Sequence, residues 1–399
     1  MDVNRREIFG AALLGGIPRM VAGQPAQSFE LWVHPARGDD AGPGTRPAPL
    51  KTLAEAARRV NRSEGTGPAT IYLSEGIHSI GETTLLRPER RRFSKDARLT
   101  IRAAVLPDDP EWDTGRMPTL IHTMPLPETW NGRRDPAGGA ANGMLVDTSH
   151  VTIQGLKFLG YPLVETPRPG LIRRLYAISR LRGDLEDLEI AQCMFLGDDL
   201  TNPLHVAVIA MGDSVRVRHC VFRGSKITVV YWSGHSQGHE MTHCFCDSIY
   251  GSAVWTCGVQ EDFDFRNNVI SNCNYVWTWQ PASWAAAVQQ GRRPPETIRS
   301  EERMSYRVVN CHFAANRRLF GSGVGARQQY ADLDPSWLKL VSTRVEDQPV
   351  PVERDQTKRN WLHPVEGTEA ARLGAGLFLR SGKESSEQEN KRTRKEKIR

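Results

Sequence analysis

Apolar and polar residues alternate in six short stretches of this chain: residues 151–158, 188–195, 215–222, 239–246, 263–270 and 306–313. A period of two marks a strand with one buried face. Each stretch carries a polar or small residue before its sixth position. That sixth position reads Leu156, Cys193, Cys220, Cys244, Asn268 and Cys311. It recurs at intervals of 37, 27, 24, 24 and 43 residues, the longest two containing insertions. A second apolar series, 208–212, 230–234, 254–258 and 276–280, recurs at 22, 24 and 22 residues. Two short strands per repeat, joined by Gly, Asn, Asp and Ser turns, leave little room for a helix. Such a unit cannot bury its apolar face alone. Stacking successive coils into a parallel β-helix solves the problem, because each backbone then pairs with the coil above and below at about 4.8 Å. Seven coils make a rod on the order of 34 Å long.

The stretch before the repeats reads differently. Leu31-Trp-Val-His-Pro-Ala-Arg-Gly38-Asp39-Asp40 leads to Pro43-Gly44-Thr45, Pro49 and Leu50-Lys-Thr52-Leu53. Thr52 and Glu55 have the spacing of a capping box, and Leu53, Ala56, Ala57 and Val60 form a helical apolar stripe. A helix here would cover the open end of the first coil, as stacked repeats require. Together with the repeats, this block resembles the right-handed parallel β-helix proteins of the pectate-lyase-like superfamily, over roughly residues 30–325. The expected fold is therefore all-β: a right-handed parallel β-helix (a solenoid) with an N-terminal capping helix. Residues 104–143 read as a Pro- and Gly-rich excursion with at most one strand, near Thr119–His122. Residues 283–290 read as a short helix within an interruption of the repeat.

Composition changes the picture at the two ends. Residues 1–23 join an Arg5-Arg6 pair, a short apolar stretch and Val21-Ala22-Gly23, which resembles a twin-arginine export signal. Residues 381–399 form a charged, low-complexity tail with one large apolar residue, Ile398. The expected organisation is a signal over 1–23, a cap with the first coils and a long loop over 24–143, and β-helix repeats over 144–325. A closing segment over 326–380 and the tail follow. The pI near 9.0 invites a polyanion. Of the net charge of +6, the signal holds +1 and the tail +3. Residues 87–95 hold +4, so the remainder of the chain is slightly acidic. A polyanion meeting the folded body would be sought at Arg87, Arg90, Arg91 and Arg92. No stretch approaches the roughly 18 apolar residues of a membrane span. No nucleotide-binding glycine loop, zinc-spaced Cys/His set or nucleic-acid module is present. The expected partner is a polysaccharide, with no nucleic acid and no stable membrane insertion, and the expected state is an exported monomer.

Seven cysteines are an odd number for an exported protein. Four share one ladder position, which reads as an internal stack of small apolar side chains. His219 and His243 precede two of them, and alternation sends them to the opposite face.

The resemblance implies a few recurring devices. A lyase needs a base and a cation to neutralise a uronate carboxylate. Calcium-dependent members hold the metal with carboxylate oxygens. Hydrolases of the polygalacturonase type pair carboxylates, but here neither Gly234-His235 nor Gly238-His239 is followed by Gly. The candidate catalytic residues are Lys226 and Arg218 as bases, His235 and His239 as acid or base, and Asp198 and Asp199 as a carboxylate pair. Asp213 and Asp247 are candidate metal ligands, with Glu240 beside them, and calcium stands open as a cofactor. Tyr231, Trp255 and Trp277 share one ladder position with Ile209. Trp232, Trp255 and Trp277 are therefore candidate sugar-stacking residues, with Arg90 and Arg91 as charge contacts. The leading reading is a secreted polysaccharide-active protein, first a lyase cleaving acidic polysaccharide by β-elimination. The alternatives are a non-catalytic carbohydrate-binding or cell-surface structural protein, a uronate-polymer epimerase and a glycoside hydrolase.

Overall fold

The computed structural model describes residues 28–379 apart from 131–132, 135–138, 163–173, 285–304 and 325–328. The export signal, the charged tail and most of the helix expected at 283–290 lie outside the described residues. Three long sheets run along the chain, of ten, nine and nine strands, and every pairing between successive coils is parallel. Each coil visits them in the order first, second, third, as in Leu188–Ala191, Met194–Leu196 and Val206–Ala210. The fold is a right-handed parallel β-helix.

The six alternating stretches are not single strands. Each divides into a strand of the first sheet and a strand of the second, separated by two residues. The first of the two has a left-handed backbone: Gly155, Gln192, His219, His243, Asn267 and Asn310 all have φ between 49° and 74°. That one residue turns the chain from one sheet into the next. A coil therefore carries three strands rather than the two its hydrophobic pattern suggests. The side chains at this position point outward and stack. The rings of His219 and His243 lie 4.7 Å apart and nearly parallel, and Asn310 and Asn267 continue the row by side-chain hydrogen bonds.

The next residue points inward, so Cys193, Cys220, Cys244 and Cys311 fill the corner of the core. Asn268 interrupts them and is fully satisfied: its Oδ1 accepts from the Cys244 N–H and its Nδ2 donates to the Met241 carbonyl. All seven cysteines are buried free thiols. Burial drives the Cys257 and Cys311 thiols up to about 12, with backbone hydrogen bonds from Asn268 and Asn267 opposing it at Cys311. Along the second sheet Phe158, Phe195 and Phe222 stack at 4.8 and 4.9 Å. The first sheet contributes an inner row that includes Ile71, Ile101, Ile153, Ile190 and Val217.

The N-terminal cap is the helix Leu53–Arg62, whose Leu53, Ala56, Ala57 and Val60 are buried. Thr52 Oγ1 accepts from the Glu55 N–H at its start. In the 104–143 excursion, Thr119–His122 joins the second sheet and Ala140–Val146 joins the third. Towards the other end, Gln329–Asp332 pairs antiparallel with Arg318–Val324. Beyond the last coil, residues 350–379 travel back along the outside of the second sheet. Val350, Leu362, Ala370, Ala375 and Leu377 cover Met194, Val221, Phe245 and Val269 there. Gln192 Nε2 donates to the Leu377 carbonyl, and Asp108 Oδ1 accepts from the Leu379 N–H. This strap buries an apolar row on the outer face of the second sheet.

Candidate functional site

The corner between the second and third sheets gathers the groups that sequence alone scattered. Coils are drawn tightly together here. Gly224 has φ +67°, and a Cβ on it would lie 2.0 Å from the Gly197 carbonyl oxygen of the coil before. Successive coils therefore stack the turn at Asp198 and Asp199, the entry at His205, Lys226 and the turn at Tyr250. Their backbones are tied by Lys226 N–H to Leu204 O at 2.9 Å and Tyr250 N–H to Ser225 O at 3.2 Å. Arg174 and Tyr176 open the neighbouring strand of the third sheet, Arg174–Arg180, in which Tyr176 pairs with Val206.

Arg174, Tyr176 and His205 are buried, and Lys226 is half-buried. The Tyr176 and His205 rings meet edge-on with centroids 6.1 Å apart. Burial, then the cations Lys226 and Arg174, push the His205 imidazole well below its usual range, so it is neutral at physiological pH. Burial and Arg174 also lower the Lys226 ammonium. Burial raises the Tyr176 phenol to about 12 although Arg174 opposes it, so the hydroxyl keeps its proton. Tyr250 is raised as well, by burial and then by Asp199 and Asp198. Among the described residues no hydrogen bond or ion pair engages Lys226 Nζ. The arrangement holds two desolvated cations beside a proton acceptor and a proton donor. It is suited to an anionic group at whose neighbouring carbon a proton is removed.

The other sequence-derived candidates fall elsewhere. Asp198 stays in its own turn, accepting from the backbone N–H groups of Leu200, Thr201 and Asn202 and from Thr201 Oγ1. Burial opposes its ionisation, but these bonds outweigh it and keep the carboxyl below the usual range. Asp199 is exposed. Arg218 is no free base: on the outer face of the first sheet its guanidinium forks onto Glu240, with Nε to Oε1 at 2.7 Å, and reaches Glu189 at 3.4 Å. His235 and His239 do not converge. His235 is exposed beside Glu261, whereas His239 is buried, with Nδ1 accepting from the Val215 N–H and Nε2 on Ser236 Oγ at 2.8 Å. Asp213 and Asp247 occupy different parts of the coil. Asp213 binds Gln237 before the first sheet, and Asp247 pairs with Arg223 at 2.5 Å in the second, so the two do not share an ion. No trio of metal-ligating side chains occurs among the described residues.

The aromatic row is shifted by one residue from its expected register. Ile209 pairs with Val230, Val230 with Trp255 and Trp255 with Thr278, while Tyr231 lies beside Thr256. A slip of one residue exchanges the faces of a strand. Trp277 is consequently inside, stacked on Tyr306 at 4.4 Å and donating from Nε1 to Thr256 Oγ1. It offers no face to a sugar. Trp255 is on the outer face, edge-on to Trp232 at 5.3 Å and clustered with Tyr176, Val206, Ile227 and Val230. Arg91 is also structural. It is buried over the Phe29 ring and donates to Ser63 Oγ and to the Gly67 and Glu64 carbonyls. Arg90 is exposed and paired with Glu64. Arg174, Tyr176 and His205 escaped sequence reasoning. Their one signal was a set of polar residues at the entries of apolar strands, and it becomes visible only once the coil register is known.

No family model and no curated protein sequence matches the chain. Among solved structures it is similar to a rhamnogalacturonan lyase, with 13% identity, 88% of this chain and 100% of that chain covered, and a TM-score of 0.39. It is similar to a pectin methylesterase from Aspergillus niger, with 12% identity, 84% and 95% covered, and a TM-score of 0.39. A pectin methylesterase from Erwinia chrysanthemi gives 10% identity, 89% and 99% covered, and a TM-score of 0.38. No helix among the described residues is long and apolar enough to cross a membrane.

Proposed function

We propose that this protein is an exported polysaccharide-active β-helix protein that cleaves an acidic polysaccharide by β-elimination at the corner of the second and third sheets. The observation that carries the reading is a neutral His205 within reach of the charges of two cations, Lys226 and Arg174, with the protonated Tyr176 edge-on to it. The cations receive a uronate carboxylate and draw off the charge that develops when the adjacent ring proton leaves. His205 takes that proton. The electron pair becomes the new ring double bond, the glycosidic C–O bond breaks, and Tyr176 delivers its proton to the departing oxygen. No step calls on the carboxylates of Asp198 or Asp199.

The test is a screen of the full chain on pectate, alginate and other uronate polymers, with and without calcium, followed by the ultraviolet absorbance of unsaturated products. The expected result is a rise in absorbance that falls by at least roughly 100-fold in His205→Ala and Lys226→Met. A protein that binds these polymers without forming unsaturated ends refutes the elimination and leaves the carbohydrate-binding alternative. Variants as active as the parent chain refute the site.

A further inference from the structure

The outer face of the third sheet, next to the cationic corner, buries polar atoms that no hydrogen bond among the described residues satisfies. Trp255 and Gln280 are 7% and 1% exposed. Among the described residues, Trp255 Nε1 and Gln280 Oε1 have no hydrogen-bond partner. Both point outward. Trp255 belongs to the outer apolar cluster. Gln280 pairs with Cys257, two residues beyond Trp255, whereas the intervening Trp279 faces the core and donates to the Gly258 carbonyl. Just past Gln280 the chain turns out of the sheet at Pro281, and Trp284 Nε1 is a third orphan atom and the second donor among them. Buried donors and acceptors in folded proteins are almost always satisfied, so two on this face and a third just past its edge point to a ligand that satisfies them.

The chemistry of the face says which ligand. Ile209, Val230, Trp232, Trp255, Cys257, Thr278 and Gln280 carry no charge. A carboxylate placed there would be desolvated with no counter-ion. A neutral sugar ring suits it: its apolar face packs on the perpendicular Trp232 and Trp255 rings, and its hydroxyls accept from Trp255 Nε1 and donate to Gln280 Oε1. In register Lys226 lies one coil before Trp255 and four residues up the strand, a backbone separation on the order of 14 Å that a short oligosaccharide spans.

We infer that this face is a neutral-sugar subsite, so that the substrate is a mixed polymer in which uronates are interspersed with neutral sugars. The inference rests on the placing of an acidic sugar at Arg174 and Lys226.

Calorimetric titration of the full chain with three probes tests it: a hyaluronan hexasaccharide, which alternates a uronate with a neutral N-acetyl sugar, hexagalacturonate, which has uronates only, and neutral cellohexaose. Hyaluronan is expected to bind at least roughly tenfold more tightly than hexagalacturonate. Trp255→Phe, which keeps a ring and removes the N–H, and Gln280→Leu should each weaken hyaluronan about fivefold and leave hexagalacturonate unchanged. Neither should lower the melting temperature, since each removes an orphan group. Lys226→Met should weaken both acidic probes. Hexagalacturonate binding as tightly as hyaluronan, or an unchanged hyaluronan affinity in both outer-face variants, overturns the subsite and leaves the cationic corner standing. Acidic-probe affinities indifferent to Lys226→Met, or no binding of any probe, overturn the corner and the subsite together.

Discussion

Acidification should release the C-terminal strap, and His363 is the residue through which it acts. This imidazole is buried and bonded as a neutral tautomer: Nδ1–H donates to the Trp361 carbonyl at 2.9 Å, and Nε2 accepts from the Leu377 N–H at 2.8 Å. Its ring stacks on Phe378 at 5.1 Å. The backbone at Gly376 approaches so closely that a Cβ there would lie 2.0 Å from His363 Cδ2. Burial pushes the ring down to about 4, with the Trp361 and Asn360 carbonyls opposing. The released strap would titrate at the ordinary value of 6.5. The folded group is the weaker base, so stability is present in full above pH 6.5 and is lost as pH falls towards 4. Between pH 7.5 and 4.5 the loss through this one group is about 2.5 kcal/mol, roughly 70-fold in the opening equilibrium. Hydrogen exchange of the peptide covering residues 359–379, corrected for intrinsic rates, reads it directly. His363→Gln keeps an acceptor and removes the titration, so its strap should be looser at neutral pH and nearly indifferent to acid. A variant that loses protection as steeply as the parent chain, or a parent strap equally protected at both pH values, refutes the reasoning.

Two further outcomes follow from the turns. Gly224→Ala should destabilise the fold by at least roughly 2 kcal/mol, because a Cβ meets the Gly197 carbonyl at a positive φ. A denaturation midpoint equal to the parent's would count against the close stacking of coils. Asp187 is 3% exposed and bonded to Arg98 and Arg216 at 2.5 Å and His150 at 2.8 Å. Burial opposes its ionisation, but Arg98 and His150 outweigh burial and hold the carboxyl below the usual range. Asp187→Ala should cost roughly 3–5 kcal/mol by leaving the Arg98 and Arg216 guanidinium groups crowded and uncompensated. Urea denaturation checks this, and a loss below 1 kcal/mol would mean the cluster is solvated.

The architecture was legible because its signal is repeated. A period of two, a recurring sixth position and a capping box are local properties, and each predicts the element found: stacked strands, a cysteine corner and the helix Leu53–Arg62. The third strand of each coil was hidden for an equally local reason. His219 and His243 sit in an unbroken alternation, and a left-handed φ of 49° or 52° at a non-glycine residue leaves no trace in hydrophobicity. The strap was hidden because Val350, Leu362 and Leu377 have no period of their own. Their partners Met194, Val221 and Phe245 are up to about 180 residues away and read as ordinary strand residues.

The site depends on register, which composition does not encode. Aligning the second series on valine placed Val230 opposite Val208 and Val254, but the coil pairs Val229 with both. That single step decides that Trp277 faces the core and Trp255 the outer side of the sheet. It also brings Tyr176 against Val206 and Ile227, so that His205 and Lys226 follow one another up the corner. Between Gly197 and His205 the chain makes a seven-residue excursion, fixed by Asp198 holding Leu200, Thr201 and Asn202. Shortening it by one residue would slide His205 away from Arg174 while preserving every apolar alternation in the coils. On the proposed elimination, Asp198 bears on the chemistry without touching it, because its carboxylate orders the turn that leads to His205.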